Sequence, residues 1–150
     1  GFSSLAPFPF YCCDFTGLLW LVSLAFFVSG WPPATYLAIT LTWALPPIGL
    51  QLLFGADILW HYRRLVGLTI LPMTLYLSLT DSLAITAGTW TIDPQQSTGL
   101  FIGALPLEEA IFFLITNTLI GFGLTLMLAQ VSWGRWSALQ AGFSRWGQKR

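Results

Sequence analysis

Apolar residues dominate the chain in long runs that polar segments interrupt only a few times. A helix needs about 20 apolar residues to cross a hydrocarbon layer of roughly 30 Å. Four runs approach that length, and we predict a transmembrane helix in each. They cover residues 15–28, 34–54, 65–79 and 106–131, with the apolar stretch 100–105 as a candidate extension of the last.

Proline, glycine and polar residues mark the breaks between these runs. Residues 30–33 separate the first two, and the polar stretch 88–98, which contains the turn signal Asp93-Pro94, separates the last two. Pro46 and Pro47 should bend the second helix, because proline has no N–H group and crowds the preceding turn. The predicted fold is an all-α, polytopic transmembrane helix bundle with about four spans.

Composition narrows the class of protein. Only 8% of the residues are charged, and 55% are hydrophobic. Soluble domains carry about 25% charged residues, so an ordinary water-soluble enzyme and a disordered tail are excluded. The chain also lacks the basic stripe of a nucleic-acid-binding protein, and we expect no nucleic-acid partner. Its expected surroundings are a lipid bilayer.

The basic residues occupy only two segments. Four spans would place both segments, and both termini, on one side of the membrane. The positive-inside rule identifies that side as the cytoplasm, so we expect a multi-pass protein with both termini cytoplasmic. The tail 132–150 is either an interfacial anchor or a partly disordered segment. The six basic residues are Arg63 and Arg64 after the second span, and Arg135, Arg145, Lys149 and Arg150 after the fourth.

Three acidic residues are the candidates for chemistry. Asp81 ends the third predicted span, and Glu108 and Glu109 open the fourth, so all three should lie at the non-cytoplasmic end. On one interpretation the acids only stabilise a helix N-terminus, where the helix dipole favours negative charge. On the other they are functional, because a carboxylate within hydrocarbon costs about 2.5–3.5 kcal/mol.

The adjacent glutamates should point in different directions. A helix turns by about 100° per residue, so Glu108 and Glu109 cannot both face one small pocket. We expect one to face the bundle and the other a rim or a partner. An inward glutamate shielded from water could stay protonated and act as a general acid.

Aromatic residues accompany the acids. Phe112 and Phe113 follow the glutamates by one helical turn, and Tyr76 and Trp90 flank Asp81. Because ring faces stabilise cations, acids with aromatic walls in an apolar cavity suit carbocation chemistry on a hydrocarbon. The alternative is that these are ordinary core or lipid-facing aromatic residues.

Several familiar motifs are absent from the sequence. It has no dinucleotide fingerprint, phosphate-binding glycine loop, Cys-x-x-Cys pair or Asp-rich diphosphate motif, so we expect neither a cofactor nor a metal. Asp57 and Arg64 are expected to pair near the connection after the second span. The mid-span residues Thr116, Asn117 and Thr118 are interpreted as interhelical hydrogen-bonding groups.

Two segments resemble the small integral-membrane lycopene cyclase family, which occurs as heterodimers in some bacteria and fused to phytoene synthase in fungi. Residues 81–90 place an Asp before a Gly-x-Trp element, and residues 105–113 carry a Pro-x-Glu-Glu motif before two Phe residues. Residues 35–46 also resemble the helix that opens each family unit. The resemblance covers roughly residues 35–130.

The resemblance implies a role in carotenoid biosynthesis. The implied reaction is acid-catalysed, non-redox cyclisation of the linear ψ-ends of lycopene by a flavin-independent intramolecular cyclase. The implied catalytic residues are Glu108, Glu109 and Asp81, with a preference for Glu109 as proton donor and for Asp81 as orienting or cation-stabilising group. The expected substrate contacts are Tyr76, Trp90, Phe112 and Phe113.

A complete enzyme of this family holds two such units, whereas this chain has one Pro-x-Glu-Glu motif. We expect half of an enzyme, completed by a second cyclase subunit or by a homodimer, with Gly121 and Gly123 allowing close approach of the partner. The expected division is an N-terminal aromatic segment and extra helix (1–34), a three-helix cyclase-like unit (35–131) and a cytoplasmic tail (132–150).

Two other functions remain open from the sequence. The chain could be a non-catalytic membrane subunit that contacts a carotenoid or another pigment in a photosynthetic or other pigment–protein complex. It could also be an unrelated membrane transport or assembly subunit, although its predicted spans offer few polar residues to line a hydrated path.

Overall fold

The computed structural model describes residues 8–91, 95 and 97–147, and these residues confirm the all-α fold. A small antiparallel hairpin, which pairs Phe101 with Pro106 and turns at Gly103 (φ 66°), is its β component. The elements are α1 (Phe8–Ser29), a 3₁₀ turn (Pro32–Ala34), α2 (Thr35–His61), α3 (Arg63–Thr86), β1 (Phe101–Ile102), β2 (Leu105–Pro106), α4 (Leu107–Leu128) and α5 (Gln130–Gly147).

Helices α1 and α2 pack side by side, and a proline explains one of their contacts. Pro46 has no N–H group, so the carbonyl of Thr42 loses its usual donor four residues along the helix. The indole Nε1 of Trp20 on α1 donates to that carbonyl at 2.9 Å. The tertiary contact therefore satisfies a backbone oxygen that would otherwise be unpaired in an apolar environment.

The break in α2 lies at Gly55 and not at the prolines. The helix keeps helical dihedral angles through Pro46 and Pro47 and departs from them at Gly55 (φ −159°, ψ 41°). The bend expected at Pro46 and Pro47 stays a prediction, since a proline can tilt a helix axis while the residues around it keep helical dihedral angles. At Gly55 the carbonyl of the preceding Phe54 accepts a hydrogen bond at 2.9 Å from the Arg135 guanidinium of α5.

Helix α4 packs against both α2 and α3, and polar side chains link it to each. Gln51 donates to the carbonyl of Leu119 at 3.1 Å, and Asn117 donates to the Thr74 hydroxyl at 3.1 Å. The prediction of an interhelical hydrogen bond is confirmed for Asn117. It is wrong for Thr118, whose hydroxyl donates to Leu114 within its own helix, and for Thr116, whose hydroxyl has no hydrogen-bond partner among the described residues.

The two small residues of α4 serve packing within the chain. A Cβ atom at Gly121 would lie 3.0 Å from Cγ1 of Ile70 on α3, and one at Gly123 would lie 3.2 Å from Nε2 of Gln51 on α2. These glycines face neighbouring helices of the same chain. Their expected contact with a second subunit stays a prediction.

A cluster of buried apolar residues from α2, α3 and the end of α4 lies near the connection between α2 and α3. An ion pair at this end corrects one expectation, because Asp57 binds Arg135 of α5 in a bidentate pair and not Arg64. This pairing brings Arg135 to the same end of the bundle as Arg63 and Arg64. The buried cluster comprises Ile58, Leu59, Val66, Ile70, Leu126 and Ala129.

Three described helices are long and apolar enough to cross a membrane, namely Pro32–His61, Arg63–Thr86 and Leu107–Leu128. The apolar part of α1, Asp14–Ser29, is shorter, although the 22 residues of α1 would extend about 33 Å. A fourth crossing through α1 stays a prediction.

Residues 100–105 do not extend α4, because the hairpin interrupts them. The predicted Asp93-Pro94 turn and the end of the tail lie outside the described residues.

Candidate active site

Three helix ends converge at the end of the bundle opposite the apolar cluster. Helix α2 begins there, α3 ends there, and α4 begins there after the hairpin. These helix ends bring Tyr36, Asp81, Glu108 and Glu109 together. Tyr36 interacts electrostatically with all three carboxyl groups, because the four side chains lie close to one another. The prediction that the three acids share one end of the bundle is confirmed.

Glu108 is almost completely buried, with 2% of its surface exposed. Its Oε1 accepts hydrogen bonds from the hydroxyls of Ser97 at 3.2 Å and Thr98 at 2.6 Å, and from the backbone N–H of Thr98. The N–H of Leu107 donates to the carbonyl of Leu100 at 2.8 Å and holds the same loop against α4. Glu108 therefore attaches the 97–100 segment to the helix start.

Glu109 points to a different neighbour, as the helical rotation predicted. Its Oε1 accepts a hydrogen bond from the Tyr36 hydroxyl of α2 at 3.0 Å. Both side chains are partly buried. One glutamate thus binds the loop and the other binds a second helix, so the adjacent acids occupy separate environments.

Asp81 is buried on α3, with 7% of its surface exposed. The Trp90 side chain lies in hydrogen-bonding range of its carboxylate. Among the described residues, Oδ2 of Asp81 and Oε2 of Glu108 are buried without a hydrogen-bond partner. A buried oxygen without a partner is costly, and a proton or a water molecule on either atom would lower that cost.

The four predicted aromatic contacts differ in position. Phe112 and Phe113 are partly buried beyond the glutamates, with ring centroids 5.7 Å apart in an edge-to-face arrangement. Trp90 reaches Asp81 but is 51% exposed. Tyr76 is 60% exposed, and its position five residues before Asp81 turns it about 140° away on the helix. Their roles in substrate binding stay predictions.

Tyr36 and the loop residues Ser97 and Thr98 were missed as site residues. Tyr36 could have been identified, because it begins the second predicted span at the end where the acids were placed. Ser97 and Thr98 gave no comparable signal, since they lie in a polar stretch with many turn-forming residues.

The described residues offer no metal centre: no group of three or more His, Cys, Asp or Glu side chains in this part of the chain could hold an ion.

An apolar groove of about 560 Å³ lies at the other end of α4. Tyr62 and Leu65 line one side of the groove, and Leu124 and Leu128 line the other. It is therefore separate from the acids.

Comparisons with known proteins identify relatives. The chain is 38% identical over 91 residues to a lycopene beta-cyclase from Halobacterium salinarum. This match covers 61% of this chain and 38% of that protein. It is 42% identical over 97 residues to a bifunctional lycopene cyclase/phytoene synthase from Phaeosphaeria nodorum. That match covers 59% of this chain and 16% of that protein. A protein with the same bifunctional name from Gibberella fujikuroi is 41% identical over 107 residues, covering 65% of this chain and 17% of that protein.

No protein-family model matches the chain, and no solved structure matches it. The chain spans 38% of the length of the archaeal relative and 16% of that of the first fungal one. The names of these relatives agree with the family that the motifs in residues 81–90 and 105–113 resemble. The chain is therefore related to the lycopene cyclases over the matched part of its length, and the resemblance drawn from its sequence is confirmed.

Proposed function

We propose that this chain is a component of a membrane lycopene cyclase that closes rings at the linear ψ-ends of lycopene. The observation that carries the proposal is the convergence of Asp81, Glu108 and Glu109 at one end of an apolar bundle related to lycopene cyclases. A hydrocarbon substrate requires an acid that acts where water is excluded, since water would capture a carbocation.

Glu109 is the proton donor in this proposal. Oε1 of Glu108 already accepts three hydrogen bonds from the loop, and its side chain is 2% exposed. Glu109 is less buried and receives its hydrogen bond from one hydroxyl group, that of Tyr36. A partly accessible carboxyl group can reach a substrate alkene, whereas a carboxyl group covered by a loop is better placed to fix that loop.

The reaction balances without a redox partner. Glu109 in its protonated form gives a proton to the terminal double bond, whose π electrons form the new C–H bond and leave a cation on the neighbouring carbon. The next alkene attacks this cation and closes the ring. Loss of a proton to a carboxylate of the same cluster restores a double bond, so the product is an isomer of the substrate.

Asp81 and the aromatic residues support the cation in this scheme. A negative or hydrogen-bonded carboxyl group near the ring lowers the energy of positive charge, and aromatic faces do the same. We assign the first role to Asp81, and the second to Trp90, Phe112 and Phe113. Tyr76 faces away from Asp81, so its contact would have to come from a more distant part of the long substrate.

We further propose that a second unit completes the enzyme, as a separate subunit or as a second copy of the chain. Support comes from the single Pro-x-Glu-Glu motif of this sequence, in a family whose complete enzymes are expected to hold two such units. Residues 35–131 would form the cyclase unit, and residues 1–34 and 132–150 would flank it. Active fractions separated by size in lipid nanodiscs should contain two units, and a fully active single unit would contradict this assembly.

The assay for the acid compares Glu109→Gln and Asp81→Asn with the parent in membranes supplied with lycopene. Positioned general acids contribute on the order of 10²–10⁴ in rate, so Glu109→Gln should lose at least about a hundredfold in ring formation. Asp81→Asn should lose less, because Asp81 supports the cation in this scheme and does not donate the proton. The measurement is cyclised product per unit of membrane-inserted protein, determined by chromatography.

Asp14→Asn is the matched control, because this carboxyl group of α1 is exposed. It should retain the parent rate. Equal ring formation by Glu109→Gln and the parent would refute the acid assignment. Tight retention of pigment without conversion by the parent assembly would instead favour the non-catalytic pigment-binding alternative.

A further inference from the structure

The hydrogen bond between Tyr36 and Glu109 joins two helices that are far apart in sequence. The Tyr36 hydroxyl donates to Oε1 of Glu109 at 3.0 Å across 73 positions of the chain. The 3₁₀ turn Pro32–Ala34 precedes Tyr36, and the N–H of Ala34 donates to the carbonyl of Trp31 at 3.1 Å. Two prolines in this turn restrict the backbone, so the start of α2 holds the phenol in a defined place.

We infer that Tyr36 is a positioning residue for the proton donor, and this inference rests on the proposed function. By holding Oε1 of Glu109, the phenol leaves Oε2 to carry the proton and face the reacting alkene. The phenol itself does not give up its proton in this step.

The bond to Tyr36 should strengthen as the reaction proceeds. Before proton transfer the phenol donates to the carbonyl oxygen of a neutral carboxyl group. Afterwards it donates to a carboxylate, and hydrogen bonds to ionised acceptors are about twice as strong as neutral ones. An interaction that is stronger in the transition state than in the ground state raises the rate of the chemical step. Tyr36 therefore acts on turnover more than on binding.

The neighbouring acids make a neutral donor useful at this place. Asp81 and Glu108 both interact electrostatically with Glu109. Negative charge forming on Glu109 would meet these carboxyl groups in a medium that screens charge poorly. The phenol offers a hydrogen bond to the new carboxylate without adding a positive charge that would repel the carbocation.

The first test is Tyr36→Phe, which removes only the hydroxyl group. We expect ring formation at saturating lycopene to fall about tenfold, from the difference between a charged and a neutral hydrogen bond, with little change in the half-saturating concentration. Tyr62→Phe is the matched control, because Tyr62 lies at the α2–α3 connection, at the other end of the bundle. An unchanged maximal rate in Tyr36→Phe, at equal membrane abundance, would overturn the inference.

A double-mutant cycle separates positioning from general support of the fold. In the Glu109→Gln background, Tyr36→Phe should cause no further loss, because the group it positions is already gone. A purely structural role would lower activity by the same factor in both backgrounds and would overturn the inference. If instead the parent protein forms no rings, or if Glu109→Gln retains the parent rate, it is the proposed function that fails.

Infrared difference spectroscopy gives a readout that does not depend on turnover. The carboxyl or carboxylate band of Glu109 is assigned by its loss in Glu109→Gln. Tyr36→Phe should shift that band in the resting protein, whereas Tyr62→Phe should leave it in place. A band that does not move in Tyr36→Phe would show that the hydroxyl does not bind Glu109, and this would overturn the inference even in a variant with reduced activity.

Discussion

Glu108 and Glu109 are neighbours in the chain with the same functional group, and their surroundings give them different hydrogen bonds. The carboxyl group of Glu108 is held by Ser97 and Thr98 from the loop, while that of Glu109 is held by Tyr36 from α2. The helical rotation between adjacent positions is the cause. A motif with two consecutive glutamates can therefore place its two carboxyl groups in separate environments.

The loop contact of Glu108 leads to a prediction at the scale of single residues. Glu108→Ala removes the acceptor of the Thr98 N–H, and a hydrogen bond to a charged group is worth about 1.5–3 kcal/mol. Hydrogen exchange at the Thr98 amide should therefore accelerate by roughly 10- to 100-fold, since each 1.4 kcal/mol is a factor of ten. Glu108→Gln, which keeps one oxygen acceptor, should show a smaller effect.

Glu109→Ala is the matched control for this measurement. It removes the adjacent carboxyl group, which has no hydrogen bond to Thr98 among the described contacts. Exchange at Thr98 should stay at the parent rate in this variant. Equal acceleration in Glu108→Ala and Glu109→Ala would mean that the loop responds to the helix start as a whole and not to one carboxylate.

Helix α4 is the element that joins α2 to α3. It packs against both, whereas α2 and α3 make few direct contacts with each other. Gly121 allows the approach of α3, and Gln51 and Asn117 add hydrogen bonds to α2 and α3. In a membrane, where apolar helices gain little from leaving lipid, small residues and such polar links are what hold helices together.

The contact at Gly121 gives a prediction at the scale of elements. Gly121→Val adds side-chain atoms where even a Cβ would lie 3.0 Å from Ile70, and overpacking of this kind costs about 1–3 kcal/mol. The variant should unfold at a lower denaturant concentration, measured by circular dichroism in detergent. Gly67→Val is the control on α3, because a Cβ there meets no atom within 4 Å. Equal destabilisation of the two variants would contradict the packing argument.

The molecule as a whole is polarised along its helices. The acids and Tyr36 lie at one end, while the apolar cluster, the Asp57–Arg135 pair and the connection with Arg63 and Arg64 lie at the other. Basic residues mark the cytoplasmic side of membrane proteins. The acids should therefore lie near the opposite surface, where one end of a long hydrocarbon substrate could reach them.

Sidedness and the number of spans can be tested by labelling single cysteines in a Cys12→Ser/Cys13→Ser background. With four spans, cysteines at Ser4 and Gln140 should react with an impermeant reagent from the cytoplasmic side, and one at Gln95 from the other side. If α1 does not cross, the Ser4 site should label from the same side as Gln95. Labelling of Gln95 and Gln140 from one side would exclude a crossing by α4.

The sequence by itself determined the helical class, the approximate positions of four apolar helices, the shared end of the three acids and the family resemblance. These properties depend on local order: the length of apolar runs, the breaks at proline and glycine, and motifs within short segments. Only the tertiary structure decided that Tyr36 binds Glu109, that Asp57 binds Arg135, and that α2 breaks at Gly55. Each of these depends on the relative rotation and depth of packed helices, which no short stretch of the sequence specifies.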